Sequence, residues 1–215
     1  YSFEVFVDND TNVGLLQPDF PGFVYFANRA RANVHWLKDN VFPFYNSNSE
    51  ITDFARKRDI GFLIGANPNA VTGTLSGEGE IEDLLKSNPD TLFVVDEADS
   101  IYPELSSANL SKKYDNGLWL GSFSKFYGLS GLRIGYLVTP KRYSDVFDKT
   151  INPAELTSQS VLAATAVLDD KEYQQSTKRR VERNLSELER VCDRTSYRIV
   201  PGSRCFASYL WADDS

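Results

Sequence analysis

The sequence predicts an α/β fold, a mostly parallel sheet flanked by helices, on three observations. Short apolar runs alternate with longer amphipathic segments along most of the chain, the pattern left by strands whose crossovers are helical. The segment TLFVVD (91–96) is almost wholly apolar and β-branched, as a central strand buried on both faces has to be. Finally, 215 residues with 41% hydrophobic and 25% charged content are those of a globular chain that buries one large core and part of a second.

The strands expected in order are 13–17, 34–37, 61–65, 91–96, 117–122 and 133–138. Helical periodicity falls between them at 22–32, 48–58 and 78–86. After Val138 the character changes. Pro140 suits the start of a helix over 141–150, and Ser158 is a candidate cap for another through Ala166. A charged helix over 171–194 places Val181, Leu185, Leu188 and Val191 at three- and four-residue spacing. The final stretch, TSYRIVPGSRCFASYLWADD, reads as strands entering another layer. The expected division is a large domain over 1–155, connecting helices over 156–190, and the start of a small α+β domain over 191–215. A chain without Met that begins inside a strand or helix reads as a fragment.

Composition excludes several classes of function. No apolar run approaches the roughly 18 residues of a membrane span, and YSFEVFVDNDTN lacks the basic and apolar regions of a signal peptide. A net charge of −7 disfavours a broad nucleic-acid or anionic-membrane face. Cys192 and Cys205 form neither a CxxC pair nor a disulfide framework, so a cytoplasmic location is expected. With a single histidine, His35, a zinc site is not expected, and His35 reads as a structural residue beside Trp36. The basic run Lys178–Arg180 reads as a solvated helix face. The sequons at Asn9, Asn109 and Asn184 carry no weight in a cytoplasmic protein.

Chemistry concentrates in three loops, each following an expected strand: GANPNAVTG (65–73), VVDEAD (94–99) and GSFSKFYGLSGLR (121–133). In an open parallel sheet, ligands bind beyond the carboxyl ends of the strands. The third loop gathers the Lys125 amine, the Ser122 and Ser124 hydroxyls and the Arg133 guanidinium, with Gly128 and Gly131 permitting tight turns. That set suits a phosphate ester carrying a reactive aldehyde, with Ser and Arg on the phosphate and Lys condensing with the carbonyl. In isolation, a surface lysine in a flexible loop fits as well. Asp96, ending a buried strand, needs a cation or polar partner, which a protonated pyridine nitrogen or a helix N-terminus would supply.

Together these strings resemble the class I/II aminotransferases of the fold type I pyridoxal phosphate enzymes, nearest the histidinol-phosphate aminotransferase branch, over nearly the whole chain. GSFSKFYGLSGLRIGYL is similar to that branch's S-x-S-K-x-x-G-L-x-G-L-R-x-G-Y signature. The resemblance implies pyridoxal 5'-phosphate as cofactor, Lys125 as its Schiff-base lysine, and Ser122, Ser124 and Arg133 on its phosphate. It sets Asp96 against the pyridine nitrogen, and in QPDFPGF (17–23) it gives Phe20 the stacking role. IVPGSRCF (199–206) is similar to the start of the family's small domain. Amino-acid and keto-acid substrates and a homodimer follow by the same resemblance.

Two departures stand beside these matches. NAVTG puts Ala70 in the place of the asparagine that bonds the cofactor's phenolic oxygen, and DEAD puts Asp99 in the place of the tyrosine that bonds it too. Asn67 or Asn69 is the expected substitute, and Asn69 is taken as the cofactor-binding one. The family's later substrate-carboxylate arginine and its earlier phosphate-binding glycine/serine segment are not within these residues.

Three other readings compete. VVDEAD evokes a DEAD-box helicase, but there is no upstream GxxxxGK[ST] to cradle phosphates. A decarboxylase or lyase uses the same cofactor motifs, because the cofactor stabilises carbanions in general and the protein selects the bond that breaks. A non-catalytic relative is opposed by the joint presence of Asp96, Ser122, Lys125 and Arg133.

Overall fold

The computed structural model describes residues 1–38, 46–199 and 211–212. Its centre is a six-stranded sheet: β1 Asn12–Gln17, β2 Asn33–Lys38, β3 Phe62–Ala66, β4 Leu92–Asp96, β5 Gly117–Ser122 and β6 Gly135–Val138, in the order β2-β1-β3-β4-β5-β6. Every pairing is parallel except β5 with β6, which is antiparallel. The mostly parallel sheet expected from the alternating pattern is therefore present.

Period-2 alternation sends neighbouring side chains of one strand to opposite faces. Phe62, Ile64, Leu92, Val94 and Leu118 enter one apolar cluster, while Leu63, Phe93, Val95 and Trp119 enter the other. The first face is covered by α1 Ser2–Phe6, α2 Gly22–Arg29 and α5 Ser144–Thr150, through residues such as Phe3, Phe23, Ala27 and Phe147. The opposite face is covered by α3 Asn48–Lys57 and α4 Glu78–Ser87, through Ile51, Phe54, Ile81, Leu84 and Leu85. A third cluster joins Ile101, Phe123, Phe126, Tyr127 and Ile134 to α6 Ser158–Asp169 and α7 Lys171–Cys192 through Ala164, Val181 and Leu185.

Several bounds differ from the sequence expectation for local reasons. The helix expected over 22–32 ends at Arg29, because Arg31 turns left-handed at φ 60° and directs the chain into β2. The strand expected from Arg133 begins at Gly135, because Arg133 itself is left-handed at φ 48°. The helix expected from Lys141 opens with a 3₁₀ turn, Lys141–Tyr143, before α5. The cap of α6 is Thr157, whose hydroxyl accepts the Ser160 N–H at 3.1 Å, and not Ser158, which already lies in the helix. On α7, Val181 and Leu185 are buried, whereas Val191 is exposed. β7 Tyr197–Arg198 and β8 Trp211–Ala212 form a separate antiparallel pair. Most of IVPGSRCF and of the stretch around it, including Cys205, lies outside the described residues. His35 on β2 has the Asn12 carboxamide as its partner, 3.2 Å away. Among the described residues no helix is long and apolar enough to cross a membrane.

Candidate active site at the carboxyl ends of the sheet

From β1 the chain crosses to β2 on one side and then returns to β3 on the other, so the strand order reverses at β1/β3. Such a reversal opens a crevice beyond the strands' carboxyl ends. The loops after β1, β3, β4 and β5 all leave the sheet on this side.

The Lys125 loop is held by its aromatic neighbours. Phe123, Phe126 and Tyr127 are buried in the third cluster, whereas the Lys125 side chain between them is 44% exposed. Alternating anchors and an exposed amine are what FSKFY encodes, since apolar rings seek the core and an ammonium seeks water. Main-chain bonds tighten the loop: Gly128 N–H donates to Lys125 O (2.9 Å), Leu129 N–H to Phe123 O (2.9 Å) and Phe123 N–H to Ile134 O (3.1 Å). Gly128 is left-handed at φ 72°, and a Cβ there would lie 2.5 Å from the Tyr173 hydroxyl of α7. Gly131, expected as a second turn glycine, instead sits in a 3₁₀ turn with open space around it; the left-handed position is Arg133. Arg133 donates through Nη1 to Ser130 O (3.0 Å) and Ser124 Oγ (3.4 Å). The Ser122 hydroxyl accepts the Ser124 N–H at 3.0 Å. No carboxylate among the described residues pairs with Arg133, so its charge is directed into a polar loop beside the Ser124 hydroxyl. That is an anion cradle.

Asp96 ends β4, half-buried, with Oδ1 accepting the Ala98 N–H at 2.9 Å. Burial pushes its carboxyl up to about 6; the like charge of Asp99 adds to the shift, while the Ala98 bond and Lys125 oppose it. A carboxylate so placed can accept a hydrogen bond from a cationic donor. Asp99 lies three residues further on and takes the Lys125 ammonium in an ion pair, Nζ to Oδ1 3.0 Å. The loop that presents Asp99 is fixed on both sides. Glu97 accepts from the Ser106 hydroxyl (2.5 Å) and the Ser107 N–H (3.0 Å), and Ser107 in turn accepts from the Trp119 indole (2.8 Å). Ile101 is fully buried.

The turn after β1 brings in a residue that sequence inspection passed over. Asp19 accepts the Ala66 N–H at the end of β3 (3.0 Å) and the Phe20 N–H (2.6 Å), tying the β1 turn to β3 where the strand order reverses. Burial, augmented by the nearby Asp96 and Asp99, pushes its carboxyl up to about 7 against those two hydrogen bonds. The signal was available: like Asp96, Asp19 is an acidic residue following a buried strand. The Phe20 ring is 53% exposed, edge-on to Phe23 at 5.4 Å, and a Cβ on Gly22 would come within 2.2 Å of it. The exposed ring is a free stacking surface.

The loop after β3 engages both of its amides within the fold. The Asn69 carboxamide donates to Pro18 O (3.0 Å) and accepts the Val71 and Thr72 N–H groups (2.9 and 3.1 Å), so it shapes the loop and ties it to the β1 turn. Asn67 is likewise held, by both main-chain groups of Ser76. The structure brings Lys125, Ser122, Ser124 and Arg133 together on one loop, with Asp96 and Asp99 in electrostatic reach of the amine. Asn69 lies one loop away, bonded to Pro18, Val71 and Thr72. Chemically, the arrangement offers an ammonium that becomes a nucleophile on losing its proton, an anion cradle on the same loop and a half-buried carboxylate.

Comparisons with known proteins are consistent with this geometry. A histidinol-phosphate aminotransferase of Macrococcus caseolyticus is 41% identical over 144 residues, which is 64% of this chain and 39% of that protein. The structure of a histidinol-phosphate aminotransferase from Sinorhizobium meliloti in complex with pyridoxal-5'-phosphate superposes with a TM-score of 0.85 at 20% identity, over 94% of this chain and 56% of that one. An L-threonine-O-3-phosphate decarboxylase from Porphyromonas gingivalis superposes at 0.73 with 22% identity, over 91% and 58%. The chain thus spans about half the length of the relatives it matches. Residues 20–213, which carry the β3, β4 and β5 loops and the exposed Phe20 ring, match the sequence pattern of aminotransferase class I and II, and the chain belongs to that family.

Proposed function

We propose that the protein is a pyridoxal-phosphate-dependent aminotransferase that moves an amino group between an amino acid, or an amino-alcohol phosphate, and a keto acid. The observation that carries the reading is the Lys125 amine on a loop it shares with a guanidinium that no described carboxylate neutralises, beside a half-buried Asp96. When bound, pyridoxal phosphate supplies an aldehyde that bonds amines and a cationic ring that takes up negative charge from the substrate's α-carbon.

The rest is work for this chain's residues. Ser122, Ser124 and Arg133 hold the phosphate through charge-assisted hydrogen bonds. Phe20 offers its exposed face to the ring, and Asn69 keeps the neighbouring turn in place through Pro18. Asp96 holds a proton on the ring nitrogen, and its burial makes that bond count, since water competes poorly there. Lys125 attaches the cofactor and, once its amine is free, moves the α-proton. On this reading residues 1–155 are the cofactor domain, 156–190 the connecting helices and 191–215 the start of a small domain, in a cytoplasmic homodimer.

A second reading, decarboxylase or lyase chemistry, is favoured by one feature. Neither Ala70 nor Asp99 supplies the hydrogen-bond donor that the resemblance puts at the phenolic oxygen. The test is borohydride trapping with the cofactor, followed by peptide mapping, and then product analysis with candidate amino acids and a keto acid. Label on Lys125 and its loss in Lys125→Ala are expected, and label elsewhere overturns the assignment. Carbon dioxide or an eliminated fragment in place of an amino-acid product selects the second reading.

A further inference from the structure

The Lys125 side chain has one hydrogen-bonding partner among the described residues, the Asp99 carboxylate at 3.0 Å. We infer that Asp99 is a positioning residue for Lys125: it holds the amine in an ion pair that must open before the nitrogen can bond a carbonyl carbon, and so it sets how fast the chain takes up its cofactor.

Two features make this more than a chance surface pair. Both partners are presented by fixed backbone, Lys125 between buried Phe123 and Phe126, and Asp99 between the bonded Glu97 and the fully buried Ile101. Asp99 is also only 21% exposed, so solvent screens the pair less than it screens an ordinary surface contact. The acidic surroundings act in the same direction. Asp96 and Asp19 both lie within electrostatic reach of Asp99, and an ammonium leaving this cluster leaves like charges facing one another.

The step itself balances without redox. The Lys125 ammonium gives one proton to solvent, its nitrogen bonds the aldehyde carbon, and the aldehyde oxygen departs as water with the two remaining N–H hydrogens. The first event, separation of nitrogen from Asp99, is the one this chain controls. A neutral side chain at 99 removes that barrier and leaves the phosphate cradle of Ser122, Ser124 and Arg133 as it is.

The inference rests on Lys125 being the residue that bonds the cofactor, and the experiment separates the two claims. Pyridoxal phosphate is mixed with the full cofactor-free chain, and its capture is followed by absorbance and by borohydride-trapped label on Lys125. Wild type is compared with Asp99→Asn, Asp99→Ser and Asp99→Glu. The two neutral variants are expected to capture about three- to fivefold faster at low ionic strength, the fold-change that opening a partly buried ion pair commands, with the advantage shrinking as salt rises. Asp99→Glu, which keeps the charge, is expected to stay near wild type. Equal capture rates on Lys125 in all four proteins, or slower capture in both neutral variants, overturn the role of Asp99 and leave the proposed function standing. Absence of label on Lys125 in all four overturns the proposed function and this inference with it.

Discussion

Among the described residues, Asp19, Asp96 and Asp99 lie within electrostatic reach of one another while the Lys125 ammonium pairs with Asp99 alone, and the imbalance has a consequence for stability. Asp19 and Asp96 are pushed up to about 7 and about 6 from ordinary values near 4, chiefly by burial. Between about pH 4 and 7 these two carboxyls therefore bind more protons in the folded chain than in the unfolded one, and their contribution to stability falls as pH rises through that window. What these two carboxyls contribute is fully present below the unfolded value and lost once each folded value is passed. Urea unfolding midpoints across this range should show the decline, and Asp19→Asn should flatten it, because a neutral amide at 19 removes the proton binding closest to neutrality. An unchanged slope in that variant would place the titration elsewhere. At this scale the sequence was informative about type more than about partnership. Lys125, Arg133 and Asp96 could be named from their motif, but the Asp99 ion pair and the Asp19 bridge join residues 26 and 47 positions apart. No local pattern encodes such pairings.

Elements were legible where a period carried them, whereas caps were not: Thr157 caps α6 where Ser158 was expected, and the cap of α3 gave no reading. α3 begins at Ser47 in a capping box: the Ser47 hydroxyl accepts the Glu50 N–H at 3.3 Å, and the Glu50 carboxylate accepts the Ser47 N–H at 2.8 Å. Two orphan donors of the first turn are satisfied at once. Ser47→Ala should cost about 1 kcal/mol in a urea titration without altering the unfolding slope, as loss of a cap does. A cost near zero would mean that packing of Ile51, Phe54 and Ala55 alone sustains the helix. Element ends were less legible, and for one recurring reason. Arg31 and Arg133 adopt left-handed backbone that arginine rarely takes, and they end α2 three residues early and delay β6 by two. A side chain gives no local warning of that conformation, which tertiary contacts impose.

At the scale of the molecule, the candidate site is connected to the C-terminal helices through the loop after β4. Tyr102 donates to the Glu182 carboxylate of α7 at 2.6 Å, the Lys178 ammonium lies 4.2 Å from the Tyr102 ring centroid, and Lys178 pairs with Glu104. Lys178, which reads in the sequence as part of a solvated basic face, thus holds the loop that carries Asp99. Removing the hydroxyl in Tyr102→Phe should cost about 1 kcal/mol, and a double-mutant cycle with Glu182→Gln should return coupling of similar size. Independent effects in the cycle would make the contact incidental.

Strand periodicity, the GSFSKFYGLSGLR string and the acidic end of a buried strand were enough, read locally, to specify a mostly parallel sheet and to put an amine, an anion cradle and a carboxylate on its carboxyl side. These are short-range properties, since alternation, turn residues and motif spacing all act within about ten positions. The antiparallel course of β6, the tie of Asn69 to Pro18, and the approach of Asp19 and Asp96 to Asp99, the partner of Lys125, were settled only by the packed molecule. Each depends on which strands become neighbours, and that is decided by burying two faces of one sheet together.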